Sequence, residues 1–292
     1  MAQHIQHPSS KDWIEFFEQF LLYIAGISLV AGVGFFVAYN WDELGKFFKF
    51  MLIEGLILVS IGVALSVKHI WISRISLFVA SFLVGIFMAL FGQVYHSQAD
   101  SWELFFYWAV LISPWVFVSR FIGSWLLWFL LLEIVLVLYE PTSYLYMLKV
   151  GLLWKLFAFN TVALVLWEYI TKRFDIEYSF VVYKMLFVLS AFSITALMFT
   201  KSISVAIWLW IVWIASVYYC YRVRSISIYS LSVMSISTVV VVDVVLVRGI
   251  DKVHIDNLIL PMLMIGFVTI SMGALLVHWL KEVSKEEDDV FE

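Results

Sequence analysis

Ten long apolar runs follow one another along this 292-residue chain, and short polar turns separate them. A helix of about 20 apolar residues crosses the hydrocarbon core of a bilayer. Hydrophobic residues make up 64% of the chain and charged residues 14%, whereas a soluble domain is about 45–50% apolar and about 25% charged. The sequence therefore excludes a soluble enzyme and a disordered chain. Its net charge of −4 offers no basic surface for nucleic acid.

The runs predict an all-α fold, a polytopic integral membrane bundle of about ten transmembrane helices. They are continuous rather than alternating, which disfavours transmembrane strands. A polar or amphipathic N-terminus (1–18) precedes helices one to four (19–120), helices five to ten (121–280) and an acidic tail (281–292). The predicted spans are 20–39, 47–67, 75–95, 104–119, 121–139, 148–170, 181–200, 203–221, 226–247 and 258–280.

Lysine and arginine in the short turns predict the orientation, because cytoplasmic loops carry the excess of these residues. With the N-terminus inside, 11 of the basic residues fall in inner segments and 6 in outer ones, and Lys155 lies within a span. We therefore expect both termini, including the acidic tail, to be cytoplasmic. The inner residues are Lys11, Lys68, Arg74, Arg120, Lys172, Arg173, Lys184, Arg222, Arg224, Lys281 and Lys285. The outer ones are Lys46, Lys49, Lys149, Lys201, Arg248 and Lys252.

Two turns predicted to face outward look alike, since each has Asn or Asp followed three residues later by Glu. Asn40 with Glu43, and Asp100 with Glu103, have the spacing of a capping box. Helix capping and anchoring by interfacial tryptophan is one interpretation of these turns. A polar site formed where the two loops meet is the other. Its candidate residues are Asn40, Trp41, Gln93, Tyr95, His96 and Asp100.

The same two turns resemble a family of bacterial membrane proteins known as domain of unknown function 2157. The resemblance covers roughly residues 20–120, and His96-Ser97-Gln98 departs from the Gln/Thr/Gly-like stretch expected there. It implies a multi-pass protein of the bacterial inner membrane and supplies no activity. It also implies a membrane complex with another membrane protein encoded nearby. The matching residues are Ala38, Asn40, Trp41, Gly92, Gln93, Tyr95, Ala99, Asp100, Leu104, Phe105 and Trp108.

Four acidic or basic residues lie four or more positions from either end of a predicted span: Glu54, Glu133, Lys155 and Asp243. Each costs about 2.5–3.5 kcal/mol at the centre of a helix, so such residues usually face a partner or water. All four fall in the predicted outer half of the bilayer. Glu133 and Lys155 lie at matching depths on consecutive antiparallel spans, and we expect them to pair, either as a structural salt bridge or as a proton- or ion-coupled site. Asp243 either lines a water path or bonds to another helix.

The chain has no phosphate-binding loop, dinucleotide fingerprint, zinc-protease motif or nucleophile elbow. Cys220 is the one cysteine, which excludes a cysteine-ligated cluster. We therefore expect neither an enzyme nor a cofactor or metal. The preferred hypothesis is a scaffold or component of a cell-envelope membrane complex, with the lipid bilayer and a second membrane protein as partners. The alternative is a small-solute or ion carrier with a polar site in the outer half of the membrane.

Overall fold

The computed structural model describes residues 9–40, 43–95, 100–139, 150–174, 179–200, 203–253 and 259–291. Within these ranges the chain is helical, and they contain no strand. The all-α prediction is therefore confirmed for the described part of the chain.

Ten α-helices follow one another along the described residues. A 3-10 turn, Leu197–Phe199, ends α7, and a π-helical segment, Tyr219–Arg224, extends α8. The helices are α1 (Ser10–Tyr39), α2 (Lys46–Ser66), α3 (Ile70–Tyr95), α4 (Ser101–Ser119), α5 (Ile122–Tyr139), α6 (Val150–Phe174), α7 (Ser179–Ala196), α8 (Ile203–Tyr218), α9 (Ile228–Val253) and α10 (Ile259–Phe291).

Each of these ten helices is long and apolar enough to cross a membrane. The prediction of about ten spans is thus confirmed. The helices extend beyond the predicted spans at both ends of the chain. The N-terminal segment is part of α1 from Ser10 onward, and the acidic tail continues α10 as far as Phe291.

The chain divides into two compact units, residues 1–141 and 142–292. In the first unit α3 is the central helix, because it packs against α1, α2, α4 and α5. Half of its membrane-spanning window is buried, compared with 17% for α1, α2 and α4. The other four helices of the first unit thus surround α3. Small residues of α3 permit this close packing.

In the sequence, Ser81, Gly85 and Ala89 lie four residues apart, a small-residue stripe that predicts close approach of a neighbouring helix. The contact between α3 and α4 depends on the first two of these residues. The indole N–H of Trp108 donates to the Ser81 carbonyl (2.7 Å), and that of Trp115 donates to Ser81 Oγ (2.8 Å). A Cβ atom on Gly85 would lie 2.4 Å from the Trp108 ring. The stripe therefore admits an aromatic ring from α4, which only glycine at position 85 permits.

The predicted spans 104–119 and 121–139 leave only Arg120 between them, and the turn between α4 and α5 is indeed this tight. Arg120 adopts a left-handed conformation (φ 48°, ψ 29°), which lets the chain reverse between Ser119 and Ile122. Phe121 is 1% exposed and stacks on Tyr23 of α1, with ring centres 5.5 Å apart. This turn is thereby fixed to the interior of the first unit.

In the second unit α7 and α9 form the centre. The helix α7 packs against α6, α8 and α9, and α9 also packs against α10. Hydroxyl groups join these helices: Thr161 bonds to Ser190 (2.8 Å), and Thr195 bonds to Ser237 (2.7 Å). The indole N–H of Trp210 on α8 also donates to Ser237 Oγ (3.0 Å). Polar contacts inside the spans thus serve to join neighbouring helices.

Replacing Gly85 with Ala should destabilise the protein by about 1–3 kcal/mol, because the added methyl group overlaps the Trp108 ring. The matched control is Gly62→Ala in α2, where an added Cβ meets nothing within 4 Å. That control should leave the thermal midpoint in detergent unchanged or slightly raised. Equal midpoints for the two variants would contradict the close α3–α4 contact.

Candidate functional site

The predicted outer-loop site lies where three helix ends of the first unit meet. The end of α1, the start of α2 and the end of α3 bury one apolar cluster, formed by Val37, Ile53, Leu90 and Val94. Because these residues flank the two family-like turns, the structure brings the helix ends bordering those turns together. Trp41 and His96 lie outside the described residues.

Asn40 ends α1 and does not start α2. Its side-chain amide donates to the Phe36 carbonyl (2.8 Å), and α2 begins only at Lys46, after Gly45. The predicted capping box of Asn40 with Glu43 is therefore wrong. Its failure has a simple cause: α1 continues to Tyr39, so the asparagine satisfies a carbonyl of the preceding helix.

Asp100 has the N-cap position of α4, with an extended backbone (φ −64°, ψ 150°), as the sequence predicts. Its carboxylate makes no capping hydrogen bond. The Glu103 amide instead donates to the Asp100 carbonyl oxygen (3.0 Å). The side-chain half of this second capping box is thus also wrong, and the exposed Asp100 carboxylate is not used to cap the helix.

Gln93 and Tyr95 are exposed at the end of α3. The Tyr95 side chain is 62% exposed although its ring lies 4.8 Å from that of Phe91 and 5.9 Å from that of Phe50. Together with Asp100, these residues present polar groups above the apolar cluster. The packed helix ends hold these polar side chains in place. The arrangement therefore suits contact with another molecule.

Glu54 and Glu133 lie in different surroundings within the first unit. Glu54 is exposed on α2 and lines a 440 Å³ cavity, here called the Glu54 groove, whose walls come from α2, α3 and α4. Glu133 lies on α5 and is half-buried. It is not among the residues that line this groove.

Lys155 and Asp243 belong to the second unit. Lys155 is exposed on α6, whereas Asp243 on α9 accepts a hydrogen bond from the Thr269 hydroxyl of α10 (2.7 Å). Of the two interpretations of Asp243, the structure supports bonding to another helix. The pairing of Glu133 with Lys155 joins different units and stays a prediction.

Lys49, which the sequence pattern counts among the outer basic residues, is a buried cation of α2. Its side chain is only 4% exposed, because α2 begins at Lys46 and carries Lys49 inward. Residues four apart share a helix face, and Ile53, four residues later, is completely buried. That spacing could have revealed the buried position of Lys49.

A second polar cluster, here called the Glu168 cluster, joins four elements of the second unit. The Tyr221 hydroxyl donates to Glu168 Oε1 of α6, and the Tyr183 hydroxyl of α7 bonds to Ser230 of α9. The Tyr183 and Tyr221 rings lie 6.0 Å apart in an edge-to-face arrangement. Ser230 also bonds to Ser227 (3.1 Å). A carboxylate and two phenols therefore form one partly buried group.

The π-helical segment Tyr219–Arg224 positions Tyr221 for this contact. Such segments are rare and often lie at functional sites, because the wider turn redirects its side chains. The next residue, Arg222, forms an ion pair with Glu286 of α10 (2.7 Å). The local sequence carries no pattern that predicts this change of helix type, so sequence reasoning missed the Glu168 cluster.

A model of a known protein family matches part of the chain. Residues 2–125 match the family model described as "Predicted membrane protein (DUF2157)". This segment contains α1 to α4 and the start of α5, so the resemblance carried by the two turns is confirmed there. No curated protein and no solved structure gives a significant match to the chain.

Replacing Tyr221 with Phe should destabilise the protein by about 1–3 kcal/mol, because Glu168 loses a charge-assisted hydrogen bond within a partly buried cluster. The matched control is Tyr219→Phe in the same π-helical segment, whose side chain is 61% exposed. It should change the free energy of unfolding by less than about 0.5 kcal/mol.

Combining Tyr221→Phe with Glu168→Gln tests whether the two groups act together. The double variant should lose less stability in detergent than the sum of the two single losses, because both remove the same bond. Strictly additive losses would show that the hydroxyl and the carboxylate are energetically independent.

Proposed function

We propose that this chain is a non-catalytic, multi-pass protein of the bacterial inner membrane that acts as a scaffold or component of a cell-envelope complex. Both termini lie in the cytoplasm in this proposal, as the distribution of lysine and arginine favours. The family match to a predicted membrane protein and the ten candidate spans support the membrane location.

The observation that carries the proposal is the separation of the intramembrane charges within each unit. A carrier needs polar groups arranged around one site that a solute can reach. In the first unit, Glu54 lines its groove without Glu133. In the second unit, Asp243 bonds to Thr269, whereas Lys155 is exposed on another helix. These placements favour structural roles for the charges.

The proposed contact surface for a partner is the end of the first unit that carries Gln93, Tyr95 and Asp100. These side chains are exposed, and the apolar cluster of Val37 and Leu90 supports them from below. A fixed surface suits protein recognition, because little conformational entropy is lost when the partner binds. The helical acidic tail of α10 supplies a second proposed surface, on the cytoplasmic side.

A small-solute or ion carrier is the second candidate, and one observation favours it. Glu54 is an exposed carboxylate beside a cavity of 440 Å³, and ionisable residues inside spans commonly mark solute or ion paths. In this alternative, neutralising Glu54 abolishes transport while the protein still inserts and folds.

Purification in mild detergent from the native host, followed by identification of bound proteins, tests the scaffold proposal. The variants Gln93→Ala and Asp100→Ala should each lower recovery of a co-purifying partner severalfold. Asp100 suits this test because its carboxylate makes no capping bond, so its loss should leave α4 intact. Thermal midpoints should equal that of the native chain.

Glu54→Gln is the matched control, since it alters an intramembrane charge and leaves the loop surface untouched. It should retain the partner in full. Partner loss with Glu54→Gln but not with the loop variants would contradict the proposed contact surface.

A further inference from the structure

A second groove lies on the first unit, beside the Glu54 groove. It is a cavity of 350 Å³ lined by residues of α2, α3 and α4, and we call it the Arg74 groove. Trp115 of α4 lines both cavities, so they adjoin at this residue. The rim is open: Leu65 and Val118 are 82% and 78% exposed. The walls are mainly aliphatic, as suits a hydrocarbon chain.

The polar groups of the Arg74 groove are concentrated at one end. Arg74, Ser73 and Ser119 lie there, where α2 and α4 end and α3 begins. The Arg74 guanidinium lies 5.5 Å from the centre of the Trp71 ring, an arrangement typical of an interfacial position. Lys68 and Arg120 are exposed in the two turns at this end. Arg74 thus lines the groove itself, and two further cationic side chains lie in the turns at the same end.

The other end of the combined grooves has the opposite charge, since Glu54 lines it. An anionic group is attracted by the arginine end and repelled by a carboxylate. Charge alone thus orients an elongated amphiphile, with its anionic group at Arg74 and its apolar part along α3.

The length of the grooves matches one leaflet of a bilayer. Arg74 and Val84 line the two cavities ten residues apart on α3, which corresponds to about 15 Å along a helix. Half of a hydrocarbon core about 30 Å thick is also about 15 Å. A chain anchored at Arg74 would thus lie against α3 for the depth of one leaflet.

We propose that the Arg74 groove is a binding site for an anionic phospholipid. The phosphodiester binds at Arg74, since a guanidinium presents paired donors that match phosphate oxygens. One acyl chain lies between α2 and α4, against Leu77 and Trp115. Basic pockets between transmembrane helices recognise anionic headgroups in this way. The site requires neither a protein partner nor transport by this chain.

Native mass spectrometry of the full-length protein in mild detergent tests the proposal. Dioleoyl phosphatidylglycerol and dioleoyl phosphatidylcholine carry the same acyl chains and differ in headgroup charge. The first bound phosphatidylglycerol should have an apparent Kd about fivefold or more below that of phosphatidylcholine. Arg74→Gln should remove this difference, whereas Arg74→Lys should retain part of it.

Val118→Trp tests the acyl part of the site, because it fills the exposed rim and leaves the headgroup residues unchanged. It should weaken binding of both lipids by a similar factor. The control is Arg224→Gln, which removes an exposed arginine of the second unit and should not affect either lipid. Unchanged thermal midpoints establish that each variant is folded, and Val118→Trp still tests the groove if Arg74→Gln fails to fold.

Three results would overturn the proposal. The first is equal affinity for the two lipids. The second is a preference for phosphatidylglycerol that survives Arg74→Gln. The third is displacement of bound lipid by an equal concentration of glycerol phosphate, because this would show that the acyl chain and groove add nothing to a simple anion site.

Discussion

Inside a bilayer no water is available to satisfy polar groups, so the polar groups within the spans are stabilised by partners within the protein. Continuous helices supply such partners for the backbone. The hydroxyl side chains find them locally, because Ser81 donates to the Leu77 carbonyl (2.9 Å) and Thr195 to the Ala191 carbonyl (2.7 Å). Each oxygen can then accept a second bond from a neighbouring helix, as Ser81 does from Trp115. Helix packing in both units depends on hydroxyl groups that bond both to their own helix and to a neighbouring helix.

The spans could be predicted from sequence because length and hydropathy alone decide whether a helix can cross the membrane. The tight reversal at Arg120 and the close approach at Ser81 and Gly85 also follow from local patterns. The two capping-box predictions were wrong, because sequence alone does not reveal where a helix ends. That position depends on competition between neighbouring helices for the same side chain. Asn40 satisfies α1, and no feature of the turn's own residues reveals that preference.

The candidate site was only partly predictable for a related reason. The sequence identifies charges that are costly in a membrane, yet their surroundings depend on which helices meet. Asp243 bonds to Thr269 of the next helix, 26 residues away, and Tyr221 reaches Glu168 from 53 residues away. Long-range pairs of this kind follow from tertiary packing, so single-sequence patterns identified Asp243 without its partner and missed the Glu168 cluster. The contacts between helices support the proposed structural function of these polar groups.

The central claim is that, within each unit, the two intramembrane charges do not share a water-filled path. Accessibility to a membrane-impermeant maleimide tests it most directly, with single cysteines at Glu54, Glu133, Lys155 and Asp243 in a Cys220→Ser background. In intact membranes these cysteines should stay unlabelled until the protein is denatured, whereas Gln93→Cys, on the exposed end of α3, should react at once. Rapid labelling at both positions of one unit, blocked by one common solute, would contradict the claim and favour a carrier.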